Sequence, residues 1–181
     1  MRLRPQVKRC CGEHRGPGED DLARAYLAEQ ARGAARRLRR LDDGDLHELF
    51  DDLVELTRHV EYSHDLAIND PVVRETLAVF HARVSGVQLV ARRAVDRVAS
   101  GTDEPTDGLI AKLAYTELNV AICLYAMSLA SSGRLCPDGS DVFARWQQAF
   151  LWSRALTISG GSSEIIRNVV AAQLLGLPRS W

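Results

Sequence analysis

The sequence predicts an all-α fold: an antiparallel four-helix bundle over residues 70–181, preceded by one or two further helices. Three observations predict it. Apolar residues return at three- and four-residue steps in four long stretches, the period of a helix with one buried face. Short breakers rich in Gly, Pro and Ser separate those stretches. No alternating apolar–polar run of useful length, the mark of a half-buried strand, occurs anywhere in the chain. Four such faces turned toward one another are enough for a shared core. The composition, 46% hydrophobic and 26% charged, is that of an ordinary globular chain and excludes wholesale disorder.

Taken in order, residues 1–19 mix Gly, Pro and charge without a period and read as a flexible tail. From Asp20 to about Arg40, Ala, Leu, Arg and Glu favour a helix, interrupted by Gly33. Asp42-Asp43-Gly44-Asp45 marks a turn and a helix start, after which Leu46, Leu49, Phe50, Leu53, Leu56 and Val60 form one apolar face. Residues 20–69 are thus an N-terminal helical extension. Asn69-Asp70-Pro71 pairs a capping side chain with a proline whose missing N–H costs nothing at a helix start. It opens the stripe Val73, Leu77, Phe80, Val84, Val87, Ala91, Ala94 and Val98, which ends at Ser100-Gly101. Beyond Pro105 a second stripe runs through Leu109, Leu113, Leu118, Ile122, Tyr125 and Leu129 to Ser131-Ser132-Gly133. Pro137-Asp138-Gly139 turns the chain into a third: Val142, Phe143, Trp146, Ala149, Phe150 and Leu156. Ser162 opens the last, with Ile165, Ile166, Val169, Val170, Gln173 and Leu174, stopped by Gly176-Leu177-Pro178.

A net charge of −1 gives no global pull toward nucleic acid or a membrane. The charges are unevenly placed: residues 1–40 hold eleven Arg or Lys against five acids, and residues 42–70 hold ten acids against Arg58. Either the first block is a basic arm, or neighbouring segments neutralise each other; the absence of interleaved aromatic side chains favours the second. No nucleic-acid partner is expected. The longest apolar run, residues 120–130, is too short for a bilayer, and Met1-Arg2-Leu3-Arg4-Pro5 leads into no apolar leader, so a cytoplasmic chain without a membrane partner is expected.

No metal site is predicted. Cys10, Cys11 and His14 lack a second ligand pair at finger-like spacing and fall in the tail, and Cys123 lies within an apolar stripe as a small core residue. Glu61 and His64 make one Glu-x-x-His step, but the second pair of a di-iron bundle is missing. His47, His59 and His81 are scattered.

One segment carries a sharper pattern: Arg154-Ala155-Leu156-Thr157-Ile158-Ser159-Gly160-Gly161-Ser162-Ser163-Glu164-Ile165-Ile166-Arg167-Asn168. It is a helix end, a glycine pair permitting positive φ, and two hydroxyls opening the next helix. Such a helix start either receives an anion on its free N–H groups or is a plain interhelix turn capped by serine. The hairpin reading expects the flanking helices to lie side by side with no strand between them.

This segment, with Leu175-Gly176-Leu177-Pro178-Arg179, resembles the C-terminal signature of acyl-CoA dehydrogenases, commonly Gly-Gly-Thr-Ser-Glu-Ile-x-Arg-Asn followed by Leu-Gly-Leu-Pro-Arg. Asp70-Pro71-Val72-Val73-Arg74, the segment Ala111-Lys112-Leu113 and Glu117 are similar to the same family's bundle. The resemblance covers residues 70–178, about 110 of the 181. It implies an FAD-dependent enzyme that removes an α-proton with a glutamate while the β-hydride of an acyl-CoA passes to the flavin, and then reduces an electron-transfer flavoprotein. It implies that Ser162 and Glu164 contact FAD. The family's usual glutamate position falls at Gly160, which cannot accept a proton, and no other acid aligns as the base. The family's Arg-x-x-Phe-Gly stretch is missing. Ser128-Leu129-Ala130-Ser131-Ser132 replaces the usual Gln-x-x-Gly-Gly that meets a partner's FAD, which weakens the case for holding a neighbour's cofactor. With no room for the family's N-terminal and middle β-domains, the chain is expected to stand as a C-terminal bundle or small subunit, inactive until an acyl-CoA dehydrogenase subunit joins it in a homo- or hetero-oligomer. The alternative is a non-catalytic helical dimerisation or interaction module.

Overall fold

The computed structural model describes residues 45–62, 64–102, 104–132, 134–135 and 140–178. The tail over residues 1–19, the helix expected from Asp20 to Arg40, the Cys10–Cys11–His14 group and the Pro137-Asp138-Gly139 turn lie outside the described residues.

Helix α1 (Asp45–Thr57) buries Leu46, Phe50, Leu53 and Leu56, the face its spacing predicts. It ends where the Thr57 hydroxyl donates to the Val54 carbonyl at 2.6 Å and His59 N–H bonds back to Leu56 O. The chain then forms strand β1 (Val60–Tyr62), turns through His64 at φ 79°, and returns as β2 (Asp65–Leu66). β1 pairs antiparallel with β2 on one edge and with the later β3 (Arg134–Leu135) on the other, in the order β2-β1-β3. Sequence reading expects no strand here, and the reason is length. Segments of two and three residues are too short for alternation to register against the helical stripes around them. Among the described residues the fold is otherwise helical, as expected.

A short 3-10 turn (Ala67–Asn69) delivers the chain to α2 (Pro71–Ser100). Asp70 caps it, its carboxylate accepting from Val72 N–H at 2.8 Å and Val73 N–H at 3.1 Å, and Gly101, left-handed at φ 68°, ends it. Seven of the eight stripe positions are buried; Val98, in the last turn, is exposed. Helix α3 (Asp107–Ser132) is apolar nearly all round because it is central: α1, α2 and two later helices, α4 (Ser140–Ile158) and α5 (Ser163–Leu174), all pack on it. By length and composition alone α3 could cross a membrane; here its hydropathy is accounted for by burial of Leu118, Ile122, Cys123, Ala126 and Leu129 in the core.

That core joins α1, α2 and α3 with Trp146 of α4 (Ser140–Ile158). At the far end Ala91, Ala94 and Ala111 let α2 and α3 approach closely. The last helix, α5 (Ser163–Leu174), buries only Ile166. It packs on α3 rather than along α4, so the two helices flanking the glycine pair share a turn and a common support instead of lying side by side. The expected adjacency fails because four helices pack on one, and the last two each meet α3 rather than running along each other. No strand separates those two helices.

Candidate functional site

The α4–α5 turn is built by its own backbone. Ser159 N–H bonds to Ala155 O at 2.9 Å and Gly161 N–H to Ile158 O at 3.2 Å, closing α4. Gly160 at φ 74° and Gly161 at φ 110° then reverse the chain in conformations that a side chain resists. A Cβ on Gly161 would meet only the Ile166 side chain, Cγ1 at 3.5 Å and Cδ1 at 3.9 Å, both ordinary contacts. Glycine is required there by conformation, not by crowding. Ser162, back in extended conformation, is the N-cap of α5, its Oγ accepting from Ile165 N–H at 3.4 Å.

Glu164 is exposed in the first turn of α5. Its own backbone N–H, then the Ser162 hydroxyl, hold its carboxyl below the ordinary glutamate range, with a smaller push from Arg167. The two residues predicted to meet FAD are therefore partners of each other. The helix start that spacing marks as an anion site already carries an anion, so what it offers an incoming ligand is a carboxylate and a hydroxyl oxygen. Hydroxyl-bearing groups suit that pair better than phosphate does.

Two residues of α3 clamp the turn from below. The Lys112 ammonium donates to Gly161 O at 2.7 Å and reaches Thr157 O at 3.5 Å. The Glu117 carboxylate pairs with the Arg167 guanidinium of α5. Both α3 residues stand in the family-like segment of the sequence, yet nothing in their spacing could announce partners 49 and 50 residues away. Gly160 is half-buried and has no side chain to act as a base. Ser128 and Ser131 belong to the other end of α3, bonding carbonyls of their own helix. That end lies about 24 Å along the axis from Lys112 at the standard helical rise, so it takes no part in this turn.

The remaining candidates are occupied locally. His47 bonds to Gln88 Oε1 at 3.0 Å, His59 Nδ1 lies 2.9 Å from Glu55 O, and His81 rests against the Phe50 ring. Glu61 lies in β1 and His64 in the turn after it, so their spacing never reaches a helix face. Among the described residues no group of three or more His, Cys, Asp or Glu could hold a metal ion. Cys123 is fully buried, and burial pushes its thiol up to about 11.

A central apolar helix wrapped by four others, with a positive-φ glycine pair braced by a lysine, defines a helical-bundle domain with a prepared turn at one end. The family described as "Acyl-CoA dehydrogenase, C-terminal domain" matches residues 43–175. The chain belongs to the acyl-CoA dehydrogenase family and carries its C-terminal domain. It is 34% identical over 128 residues to "Acyl-CoA dehydrogenase IpdE1" of Mycobacterium tuberculosis, a match covering 70% of this chain and 31% of that protein. The chain thus spans about a third of the length of the curated relative it matches. Among solved structures, a putative acyl-CoA dehydrogenase from Mycobacterium smegmatis superposes with a TM-score of 0.64 at 23% identity, covering 87% of this chain and 39% of that one. One chain of the ChsE4-ChsE5 complex from Mycobacterium tuberculosis superposes at 0.60 and 22% identity, covering 75% and 36%. These structures share the fold. The matched region begins at residue 43 and so takes in α1, whose apolar face enters the same core as α2 and α3.

Proposed function

We propose that this chain supplies the C-terminal bundle of an FAD-dependent acyl-CoA dehydrogenase subunit and dehydrogenates acyl-CoA thioesters only in an assembly that provides the acyl-CoA cleft and the base. The observation that carries the reading is the α4–α5 turn: a family-matched bundle that keeps the glycine pair, Ser162 and Glu164 in a braced conformation. The residues fit one edge of the cofactor. The absent Cβ atoms of Gly160 and Gly161 leave the backbone approachable, and Ser162 and Glu164 present oxygen acceptors to the hydroxyls of a flavin's ribityl chain. FAD, when bound, accepts the hydride; everything else at this turn is binding and orientation.

Gly160 marks the limit of what the turn can do. Taking a proton from the carbon next to a thioester needs a positioned carboxylate of suitable pKa, and glycine offers none. Glu117 is engaged with Arg167 and Glu164 with its own helix start. The base therefore comes from elsewhere in the assembly. Exposed apolar residues of α4 and α5, among them Leu151, Trp152, Ile158 and Ile165, support association with further protein surface. An acyl-CoA dehydrogenase subunit is the partner this reading names, in a cytoplasmic homo- or hetero-oligomer, with acyl-CoA as substrate and an electron-transfer flavoprotein as acceptor.

The test mixes the purified chain with FAD and a panel of acyl-CoA thioesters and follows the flavin absorbance. The chain alone leaves the flavin oxidised, whereas co-expression with an acyl-CoA dehydrogenase subunit yields a yellow complex that bleaches. Bleaching by the chain alone would refute the reading. A second reading, a non-catalytic interaction module, draws on the same Gly160 and on exposed Trp152; a stable but colourless complex selects it.

A further inference from the structure

We propose that Lys112 is the positioning residue of the glycine–serine turn, an ammonium on α3 that sets which way the peptide between Gly161 and Ser162 faces. The part of this proposal that concerns flavin rests on the function proposed above; the part that concerns the turn does not.

Lys112 Nζ lies 2.7 Å from Gly161 O and 3.5 Å from Thr157 O. Thr157 lies in the last turn of α4, where carbonyls lack partners within the helix and the helix dipole is negative. A cation there is favoured twice, by hydrogen bonding and by the dipole. Gly161 immediately precedes the N-cap of α5. One charged group thus ties the end of one helix to the start of the next, from a third helix to which it is covalently fixed.

Planarity of the peptide converts this tie into an orientation. In a trans peptide the carbonyl and the following N–H point in opposite directions, and the described chain has no cis bond. Holding Gly161 O toward α3 therefore turns Ser162 N–H away from α3. Gly161, at φ 110°, has no side chain to restrict rotation of that peptide. Something outside the turn must choose its orientation. Ile166 fills the space behind the turn and Arg167 anchors α5 one helical turn later, but neither touches the Gly161 carbonyl in a directional way. The lysine does. Its charge-assisted bond is the strong kind, and a compact ammonium on a flexible stem can meet two carbonyls that a planar guanidinium would meet in another geometry.

The experiment uses the full chain as wild type, Lys112→Met (the stem kept, the charge removed) and Lys112→Arg. Amide hydrogen exchange is read at residues 159–166 and, as an internal reference, at residues 118–126 of α3. Lys112→Met is expected to speed exchange at residues 159–163 about tenfold or more, the size of one lost charge-assisted hydrogen bond, with α3 unchanged. Lys112→Arg restores part of the protection. In parallel, FAD fluorescence is titrated with each chain in complex with an acyl-CoA dehydrogenase subunit; Lys112→Met weakens binding about tenfold while its melting midpoint stays near wild type, a split that general destabilisation does not produce. Exchange at residues 159–163 within twofold of wild type overturns the proposal, whatever the flavin does. Loosened exchange with no flavin binding by any variant or by wild type leaves the tether standing and removes the flavin reading. If Lys112→Met does not fold, Lys112→Gln, which keeps a neutral donor, is read on the same amides by the same criterion.

Discussion

Replacing Gly161 and Gly86 by alanine, one at a time, is expected to shift stability in opposite directions. Gly161 sits at φ 110°, and a Cβ there would find Ile166 Cγ1 at a comfortable 3.5 Å. Crowding contributes nothing, so the whole penalty is conformational, about 1–3 kcal/mol for an L-residue held in a sparsely populated region. Gly86 lies in the middle of α2, where an added methyl would meet nothing within 4 Å and the backbone has no positive φ. Alanine there gains about 0.5–1 kcal/mol, chiefly by narrowing the unfolded ensemble. The two variants should differ by about 1.5–4 kcal/mol although each adds one methyl group at an unobstructed position. Urea unfolding followed by circular dichroism measures both against wild type, with m-values checking that the unfolded reference is unchanged. A neutral Gly161→Ala would mean that the turn is not held at positive φ, and the account of the site, which depends on that backbone, would fall with it.

Asp70→Ala removes the acceptor of two orphan N–H groups at the start of α2 and should cost about 0.5–2 kcal/mol in the same unfolding assay, more than Asp70→Asn. Glu164 should titrate below the ordinary glutamate range when its carboxyl carbon is followed by NMR, and Ser162→Ala should move it back upward. Because its folded pKa is depressed, its small contribution to stability is present above the unfolded pKa and is lost as pH falls through the folded value. Cys123, its thiol raised to about 11 by burial, should escape iodoacetamide in the native chain at pH 8 and react once urea is added, read by mass spectrometry of its peptide.

Helices α1, α2 and α3 were legible because each buries a stripe that repeats with the helical period, whereas α5 buries only Ile166 and leaves Ile165 and Leu174 of its expected stripe exposed. The α2 stripe is the clearest case: seven predicted positions are buried and only Val98, one turn from the end, is not. The three-stranded ribbon was not legible, since β2 and β3 are two residues each and β3 joins β1 by pairing Val60 with Leu135 and Glu61 with Arg134, far along the chain. The crossing of α5 onto α3 was hidden for a related reason. Periodicity says that Ile166 faces inward but is silent on which helix receives it. At the site, the glycine pair and the serine cap could be read locally, because backbone conformation and capping are local. Lys112 and Glu117 stood in a segment that resembled the family, but their partners lie across the bundle, and only the folded chain brings them together.

The way α5 is held bears on how the site can behave. A twelve-residue helix is marginal in isolation, and this one buries a single side chain fully, worth about 2–3 kcal/mol on transfer grounds. Val169, Val170, Ala171 and Ala172 are half-buried beside it, and its polar attachments include the Arg167–Glu117 pair, exposed and worth at most about 1 kcal/mol, and the Lys112 tie one residue ahead of its N-cap. All the named polar attachments reach α3 between residues 112 and 117, while the main core of α1, α2 and α3 lies further along the same helix. The turn and α5 can therefore open as a unit without disturbing that core, which puts the candidate site at the low-stability end of the molecule. Exchange protection should fall in the order α3, α2, α5. A surface that packs against the exposed Ile165 and Leu174 side of α5 would raise its protection selectively, so that association and the ordering of the turn are coupled through one lightly held helix.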